Sequence, residues 1–169
     1  MKIDKPTYLI AELSGELSSF VSECRKQFNP ERVHWPVDIT IIGSSGVGTF
    51  REGQDLQLLV DSIAPVIREN CFDSVEFYSY GIFPDTGIYY FAPDRKNFDP
   101  LHSKVKSSGV LFNQNNWPYN PHCTVRAGDR PDCEIDALLD SITLPQKASI
   151  DCFSLYQPEP NGGTRIHRF

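Results

Sequence analysis

The sequence lacks the features of a membrane or secreted protein. No apolar run approaches the roughly 20 residues that span a bilayer, and no basic segment followed by about 7–15 apolar residues marks a signal peptide. The five cysteines contain no C-x-x-C pair, and their odd number argues against a closed disulfide framework. We therefore expect a soluble, cytoplasmic protein whose thiols are mostly reduced and buried.

Positive charge is also scarce. The chain has 16 lysines and arginines against 22 acidic residues, which gives a formal net charge of -6. Extended, sequence-independent binding of duplex nucleic acid needs many lysines and arginines that neutralise phosphates, so duplex nucleic acid is disfavoured as a partner. A small anionic ligand, or only the end of a nucleic acid, remains compatible because local charge can differ from the total.

What the sequence does contain is a regular alternation of helix and strand patterns. Apolar residues at helical spacing predict helices over residues 14–28, 54–70, 101–111 and 132–142. Asp132 should cap the last helix, and Pro65 should kink or shorten the second. Runs of β-branched and aromatic residues predict strands over 7–13, 38–43, 74–83, 86–93, 122–128, 148–156 and 164–169. A hairpin turn is expected over 157–163.

These predicted elements repeat once along the chain. Residues 7–83 run strand, helix, strand, helix, strand, and residues 86–156 do the same. With a closing hairpin over 148–169, this order predicts one α+β domain over residues 1–169, with two pseudo-symmetric lobes of antiparallel sheet and flanking helices around a central groove. Such a groove is a common ligand site. A chance alternation of elements of ordinary length is the alternative.

The repeat aligns the strand at 36–43 with the strand at 121–128. Side chains at alternate positions of a strand face the same way. The polar row of the second strand consists of His122, Thr124 and Arg126, and that of the first consists of Asp38 and Thr40. Both rows are expected to point into the groove.

An imidazole, a hydroxyl and a guanidinium together suit a phosphate group. The hydroxyl and the guanidinium can donate to its oxygens, and a histidine can exchange a proton near neutral pH. The alternative for His122 is a simple hydrogen bond at a strand edge, which is the commoner situation for an isolated His-x-Thr. The preceding proline, Arg126 and the duplicated position favour the functional interpretation.

The segment PHCTVR at 121–126, the repeat and the ending CFSLYQPEPNGGTRIHRF at 152–169 resemble the 2H phosphoesterase superfamily. This superfamily includes RNA 2',5'-ligase-like and 2',3'-cyclic phosphodiesterase proteins. The resemblance implies two His-x-Thr or His-x-Ser motifs facing each other, one histidine acting as base and the other as acid. It also implies that a phosphate-bearing nucleotide or RNA end is the partner, and that no metal or cofactor is needed.

The resemblance assigns His122 to proton transfer and Thr124 to phosphate binding, with Thr40 as its counterpart. The first motif departs from the family pattern, because Asp38 stands where the histidine is expected. A carboxylate of ordinary pKa is a weak base and repels phosphate, although a raised pKa could let Asp38 serve as acid or base. Arg126 is expected to stabilise developing charge.

Three interpretations therefore stay open. The chain is an active phosphoesterase with Asp38 in an altered role, a binding module that lost one imidazole, or a small α+β protein whose likeness to the superfamily is accidental. Whether it is an enzyme is thus uncertain from the sequence. The first interpretation is the leading one, with metal-independent hydrolysis or transesterification of cyclic or 2',5' phosphoesters.

Other residues carry weaker signals. His34 precedes the strand at 38–43 and could replace the missing imidazole, His167 is either at the groove or at a solvated edge, and His102 is expected on the surface. The segment GSSGVG at 43–48 fits no complete phosphate-loop motif and is interpreted as a flexible loop. A basic stretch around residues 95–106, with aromatic neighbours, is either a solvated face or a nucleotide contact.

Overall fold

The computed structural model describes residues 1–160 and 162–169. Over these residues the chain forms seven strands, four α-helices and one 3-10 helix. In chain order the elements are β1 (Tyr8–Ser14), α1 (Glu16–Phe28), the 3-10 helix (Pro30–Arg32), β2 (Asp38–Ile42), α2 (Leu56–Asn70), β3 (Ser74–Ile82), β4 (Tyr89–Pro93), α3 (Phe98–Lys106), β5 (Cys123–Arg126), α4 (Cys133–Asp140), β6 (Gln146–Glu159) and β7 (Gly162–Arg168). The α+β class is confirmed. The predicted turn includes Asn161, which lies outside the described residues.

The strands form an antiparallel sheet in the order β2-β1-β6-β3-β4-β5, with β7 paired to the end of β6. This order is symmetric with respect to the two halves of the chain. If β1, β2 and β3 are exchanged with β4, β5 and β6 respectively, the same order is read in the opposite direction. The first lobe contains β2, β1, β7 and most of β6, and the second contains β5, β4 and β3. Each half of the chain therefore contributes its last strand to the other lobe.

The strand β6 joins the two lobes. Its first residues, Gln146–Ser149, pair with β3, and the following stretch, Ser149–Tyr156, pairs with β1. The two outermost strands of the order, β2 and β5, nevertheless have Cα atoms within 8 Å of each other. The sheet therefore curls until its two ends face each other, which is consistent with the right-handed twist of strands.

The helices cover the sheet and close the core. Helix α1 packs against β5 and β6, and α3 packs against β2, so both helices cross from one lobe to the other. Apolar side chains of the strands point beneath them: Ile39, Ile41, Cys123 and Val125 are completely buried. All five cysteines are free thiols, and three of them are buried. No α-helix of residues 1–160 and 162–169 is both long enough and apolar enough to cross a membrane.

The helix ends follow local chemistry. The Asp132 carboxylate accepts a hydrogen bond from the Glu134 amide at 3.0 Å, which confirms the predicted cap of α4. Asp55 caps α2 in the same way. The prediction that Pro65 shortens α2 is not met, because the helix continues to Asn70 with Pro65 on its exposed face. Helix α3 begins earlier than predicted, at Phe98, whose ring is fully buried.

Candidate functional site

A groove between β2 and β5 is lined by polar side chains from both sides. Asp38, Thr40, His122 and Thr124 all line one cavity of about 230 Å³. Each is partly buried, while the residues that alternate with them are fully buried. Strand alternation thus produces the arrangement on both sides, with apolar residues in the core and polar residues in the groove. The structure therefore brings four of the five expected site residues together.

His122 has a fixed ring orientation. Its Nδ1 atom lies 2.7 Å from the carbonyl oxygen of Asn120, so Nδ1 carries the proton and Nε2 is free to exchange one. The rings of Phe83 and Tyr90 meet the imidazole edge to face, with centroids 5.0 and 5.7 Å away. Burial lowers the pKa of His122 below 6.5, and the bond to Asn120 opposes this shift. The neutral imidazole is therefore favoured near neutral pH.

Asp38 occupies the equivalent position on β2. Burial raises the pKa of its carboxyl to about 6, against the opposing effects of the Arg25 charge and the Thr40 hydroxyl. The Thr40 hydroxyl donates to the Asp38 carboxylate at 3.3 Å. A carboxyl with this pKa holds a proton in mildly acidic solution, which an exposed aspartate does not.

Arg25 is a buried cation beneath the groove that sequence reasoning missed. Its guanidinium donates to the carbonyl oxygens of Trp35 and Pro36, both at 3.0 Å, and to that of Thr124 at 2.8 Å. The side chain thereby ties the segment before β2 to β5. The residue is 4% exposed, although it stands in the last turn of a helix, where basic side chains are ordinarily solvated. Its spacing of four residues from Val21 on the apolar stripe is the signal that could have identified it.

The remaining walls of the groove are aromatic and polar. They consist of Tyr8, Ile10, Arg32, Trp35, Pro36, Ser44, Tyr156 and Pro158. The Arg32 guanidinium lies over the Trp35 ring, with Cζ 4.8 Å from its centroid. The pKa of Tyr156 is raised by burial to about 12, so its phenol stays protonated. None of these residues was assigned a role from the sequence.

Arg126 requires a correction, because it does not line the groove. Its guanidinium donates to the carbonyl oxygens of Gly87 and Arg130, at 3.2 and 2.8 Å, and lies 3.9 Å from the Asp132 carboxylate. The pairing of β5 with β4 shifts by one residue between Thr124 and Arg126. Such a bulge redirects side chains, so the simple alternation that placed Arg126 in the polar row does not hold at the end of this strand.

The other three histidines lie outside the groove lining. The expectation that His102 is on the surface is wrong: it is buried, its ring stacks on Tyr119 at 3.9 Å, and Nδ1 bonds the carbonyl of Ile41 at 2.8 Å. His34 is exposed, and His167 packs against the Phe169 ring. Neither of these two residues stands in for the missing imidazole.

The loop at 43–48 does contribute to the groove, through Ser44. Its neighbour Ser45 accepts a hydrogen bond from the amide of Asn120 at 3.4 Å, which links this loop to the segment before β5. In the basic stretch, Arg95 and Lys96 are paired with Asp99 and Asp94. Those two cations are therefore already neutralised by carboxylates of their own segment.

Residue types that can bind a metal are present, but they do not cluster in the described residues. Across the described part of the chain, no group of three or more histidine, cysteine, aspartate or glutamate residues is arranged to hold a metal ion. Within the groove lining, His122 and Asp38 are the titratable residues that could transfer a proton near neutral pH.

Similar structures share this fold. E. coli LigT, solved in complex with 3'-AMP, matches with a TM-score of 0.57 and 16% identity over 98% of this chain and 97% of that one. A protein of Thermus thermophilus matches with a TM-score of 0.60 and 17% identity over 100% and 97% of the two chains. A structure described as a phosphoesterase gives a TM-score of 0.54, with 16% identity over 98% of this chain and 97% of that one. Identities this low establish the fold alone. No curated protein matches the chain.

The family model of the 2'-5' RNA ligase superfamily matches residues 13–161, which include both polar rows and most of the sheet. The resemblance noted in the sequence is therefore confirmed at the level of the family. The chain belongs to the 2'-5' RNA ligase superfamily, within the 2H phosphoesterases.

Proposed function

We propose that this protein is a metal-independent phosphoesterase that hydrolyses or transesterifies cyclic or 2',5' phosphoesters of nucleotides or RNA ends. The observation that carries the proposal is the convergence of Asp38, Thr40, His122 and Thr124 on one groove. Two groups able to move protons thus face each other across a space in which a phosphate can bind. A threonine hydroxyl follows each of them by two residues, at Thr40 and at Thr124.

The roles follow from the opposite pKa shifts. His122, with its pKa lowered by burial, is neutral and takes a proton at Nε2. Asp38, with its pKa raised to about 6 by burial, is partly protonated in mild acid and can give one. An acid and a base whose pKa values lie near the working pH transfer protons most effectively.

In hydrolysis of a 2',3'-cyclic phosphate, a water molecule attacks phosphorus and its proton passes to Nε2 of His122. The bond from phosphorus to one ribose oxygen breaks, and that oxygen takes the proton from the Asp38 carboxyl. The product is a phosphomonoester beside a free hydroxyl. The proton on His122 and the vacant position on Asp38 are then reset by exchange with solvent.

The phosphate is held by groups that do not transfer protons. The Thr40 and Thr124 hydroxyls are the donors for the non-bridging oxygens. The hydroxyl of Thr40 is already directed at Asp38, so it turns to the ligand when Asp38 is protonated. Arg25 contributes positive charge through the groove wall, because its terminal nitrogens are engaged by backbone carbonyls. Electrostatic stabilisation of this kind is commonly a large part of catalysis.

The fold relatives support a phosphate-bearing ligand. E. coli LigT has been solved with 3'-AMP, ATP, phosphate and NADP+. The same fold with a polar groove in this chain is compatible with a nucleotide or RNA end as its ligand. The net charge of -6 argues against an extended grip on duplex nucleic acid.

A non-catalytic binding module is the second candidate. The observation in its favour is Asp38 itself, because an ionised carboxylate in the groove repels phosphate and is a weak base above its pKa. In that case the groove binds a phosphate end without turning it over. Turnover separates the two candidates.

The test is hydrolysis of nucleoside 2',3'-cyclic monophosphates and of an oligonucleotide with a 2',3'-cyclic end, with EDTA present, from about pH 4.5 to 8. The variants are His122→Ala, Asp38→His and, as a matched control, His34→Ala, which removes an exposed histidine outside the groove. The expected result is wild-type turnover with an optimum at or below about pH 6, abolished by His122→Ala and unchanged by His34→Ala. Asp38→His should move the falling limb of the profile to higher pH, because an imidazole of ordinary pKa near 6.5 replaces the acid.

Absence of turnover in the wild type and in Asp38→His would contradict the enzymatic proposal and favour the binding module. Turnover that persists in His122→Ala would contradict the assigned roles. Loss of activity with EDTA, restored by a divalent ion, would contradict metal independence.

A further inference from the structure

A second feature of the groove lies just before β2, where Arg32 and Trp35 form part of its wall. Arg32 ends the 3-10 helix, and the Trp35 amide donates to the Arg32 carbonyl at 3.1 Å, which fixes the backbone between them. The guanidinium stacks over the indole at 4.8 Å. This pair is therefore presented to the groove by an ordered turn.

Arg32 has no ion-pair partner among the described residues. In the described residues no carboxylate lies within 4.0 Å of its guanidinium, whereas Arg165 is paired with Glu12 and Arg168 with Asp151. Burial and the neighbouring charge of Arg25 lower the pKa of Arg32, and the charges of Glu31 and Asp38 offset this shift only in part. An anion in the groove would relieve this imbalance.

Trp35 adds a second unused donor. Its indole Nε1–H is buried and has no acceptor in the described part of the chain. A buried N–H without a partner carries a penalty that an acceptor on a ligand removes. The Tyr156 ring, 6.5 Å from the indole, continues the same wall. Stacking also holds the guanidinium plane, so that a phosphate can be bound with two parallel hydrogen bonds.

Arg32 is separate from the reacting centre. Arg32 belongs to the 3-10 helix that precedes β2, whereas Asp38 is the first residue of β2. The groove lining thus contains two arginines in different settings: Arg25 donates to three backbone carbonyls, and Arg32 stacks on Trp35.

We infer that Arg32, held against Trp35, binds a second phosphate of the ligand, distinct from the reacting phosphoester. The inference rests on the proposed function and narrows its substrate class. The preferred ligand is a nucleotide or RNA end that carries a further phosphate, rather than a nucleoside with one phosphate only.

The test is a binding measurement that does not depend on turnover. Calorimetric titration of the full chain compares 3'-AMP with adenosine 3',5'-bisphosphate at constant ionic strength, for wild type, Arg32→Ala, Arg32→Lys, Trp35→Leu and Arg68→Ala. Arg68 is an exposed arginine on α2 outside the groove lining, so its variant removes the same charge without touching the site.

The wild type should bind the bisphosphate roughly 10- to 100-fold more tightly than the monophosphate, as expected for hydrogen bonds to a charged group. Arg32→Ala should reduce this preference to about two-fold or less and leave monophosphate affinity nearly unchanged. Arg32→Lys should retain part of the preference, because it keeps the charge and loses the planar fork. Arg68→Ala should retain all of it.

Equal affinity of the wild type for both ligands would overturn the inference while leaving the proposed function intact. A preference that survives in Arg32→Ala but is lost in Trp35→Leu would also overturn it, since the wall would then bind the base. If neither ligand binds, the proposed function fails and the inference fails with it.

Discussion

The two strands that face each other across the groove are equivalent in topology and unequal in chemistry. Strand β2 ends one side of the sheet order and β5 ends the other, and each places a Thr two residues after its titratable group. Asp38 lies near two arginines, whereas His122 lies against two aromatic rings. Burial raises the pKa of the first and lowers the pKa of the second. The comparison teaches that burial shifts the pKa of a carboxyl upward and that of an imidazole downward, even where the neighbouring groups differ.

The largest effect is expected from making β5 resemble β2. The variant His122→Asp places two carboxylates across the groove, where they repel each other and the phosphate and leave no imidazole to accept the proton. Turnover of a 2',3'-cyclic nucleotide should fall by about 10²- to 10⁴-fold. The measurement is kcat/KM across the pH range, with His34→Asp as the control. A loss of less than about ten-fold would show that the two strands are functionally interchangeable.

The next effect concerns the residue that connects the two strands. Arg25→Met keeps the apolar stem but leaves the carbonyls of Trp35, Pro36 and Thr124 without their donor. Unpaired buried acceptors should lower the free energy of unfolding by about 2–4 kcal/mol. Denaturant unfolding at about pH 7 measures this loss, and Arg68→Met on the exposed face of α2 is the control. Equal stability of the two variants would mean that β2 and β5 are held together without Arg25.

A smaller and opposite effect is expected for Asp38→Asn. The folded-state pKa of about 6 lies above the ordinary value of 3.8, so ionisation of Asp38 weakens the fold as pH rises between these values. The amide removes this penalty, and the variant should be more stable than the wild type by about 1–3 kcal/mol near pH 7. Below about pH 4 the difference should vanish, because the carboxyl is then protonated in both the folded and unfolded states.

Thermal or denaturant unfolding of Asp38→Asn between about pH 3.5 and 7.5 gives this profile. Asp61→Asn, on the exposed face of α2, provides the matched control. A stability difference that is constant over the whole range would contradict a raised pKa, and the contrast between the two strands would then lose its electrostatic basis.

The smallest effect is expected for Arg126→Gln. Because this guanidinium binds the carbonyls of Gly87 and Arg130 outside the groove, turnover should stay within about two-fold of the wild type. Stability should decrease slightly, since those carbonyls lose their donor. Steady-state kinetics beside an unfolding curve separates the two effects. A large fall in kcat at unchanged stability would place Arg126 in the reaction after all.

The sequence was sufficient for features that depend on local periodicity. Two-residue alternation placed Asp38, Thr40, His122 and Thr124 on groove-facing positions, and a side-chain cap marked the start of α4. The reversible strand order agrees with the two pseudo-symmetric lobes expected from the repeat.

Features that depend on tertiary contacts were not accessible in this way. Arg25 has the sequence surroundings of a solvated basic residue and is buried only because β5 packs against α1. His102 is buried because α3 crosses to β2, where the Ile41 carbonyl is available. The Arg126 side chain does not face the groove because the pairing of β5 with β4 shifts by one residue before it. The spacing of apolar residues within one helix or strand cannot predict which other element will contact a given side chain.

The continuity of β6 has a consequence for how the protein binds its ligands. One strand of 14 residues is hydrogen bonded to β3 at its start and to β1 further along, so neither lobe can swing on a flexible connection at this point. Arg25 adds a second connection, with hydrogen bonds to the segment before β2 and to β5. We therefore expect the groove to keep a fixed width when a ligand binds, so that a phosphate-bearing end enters without any domain movement.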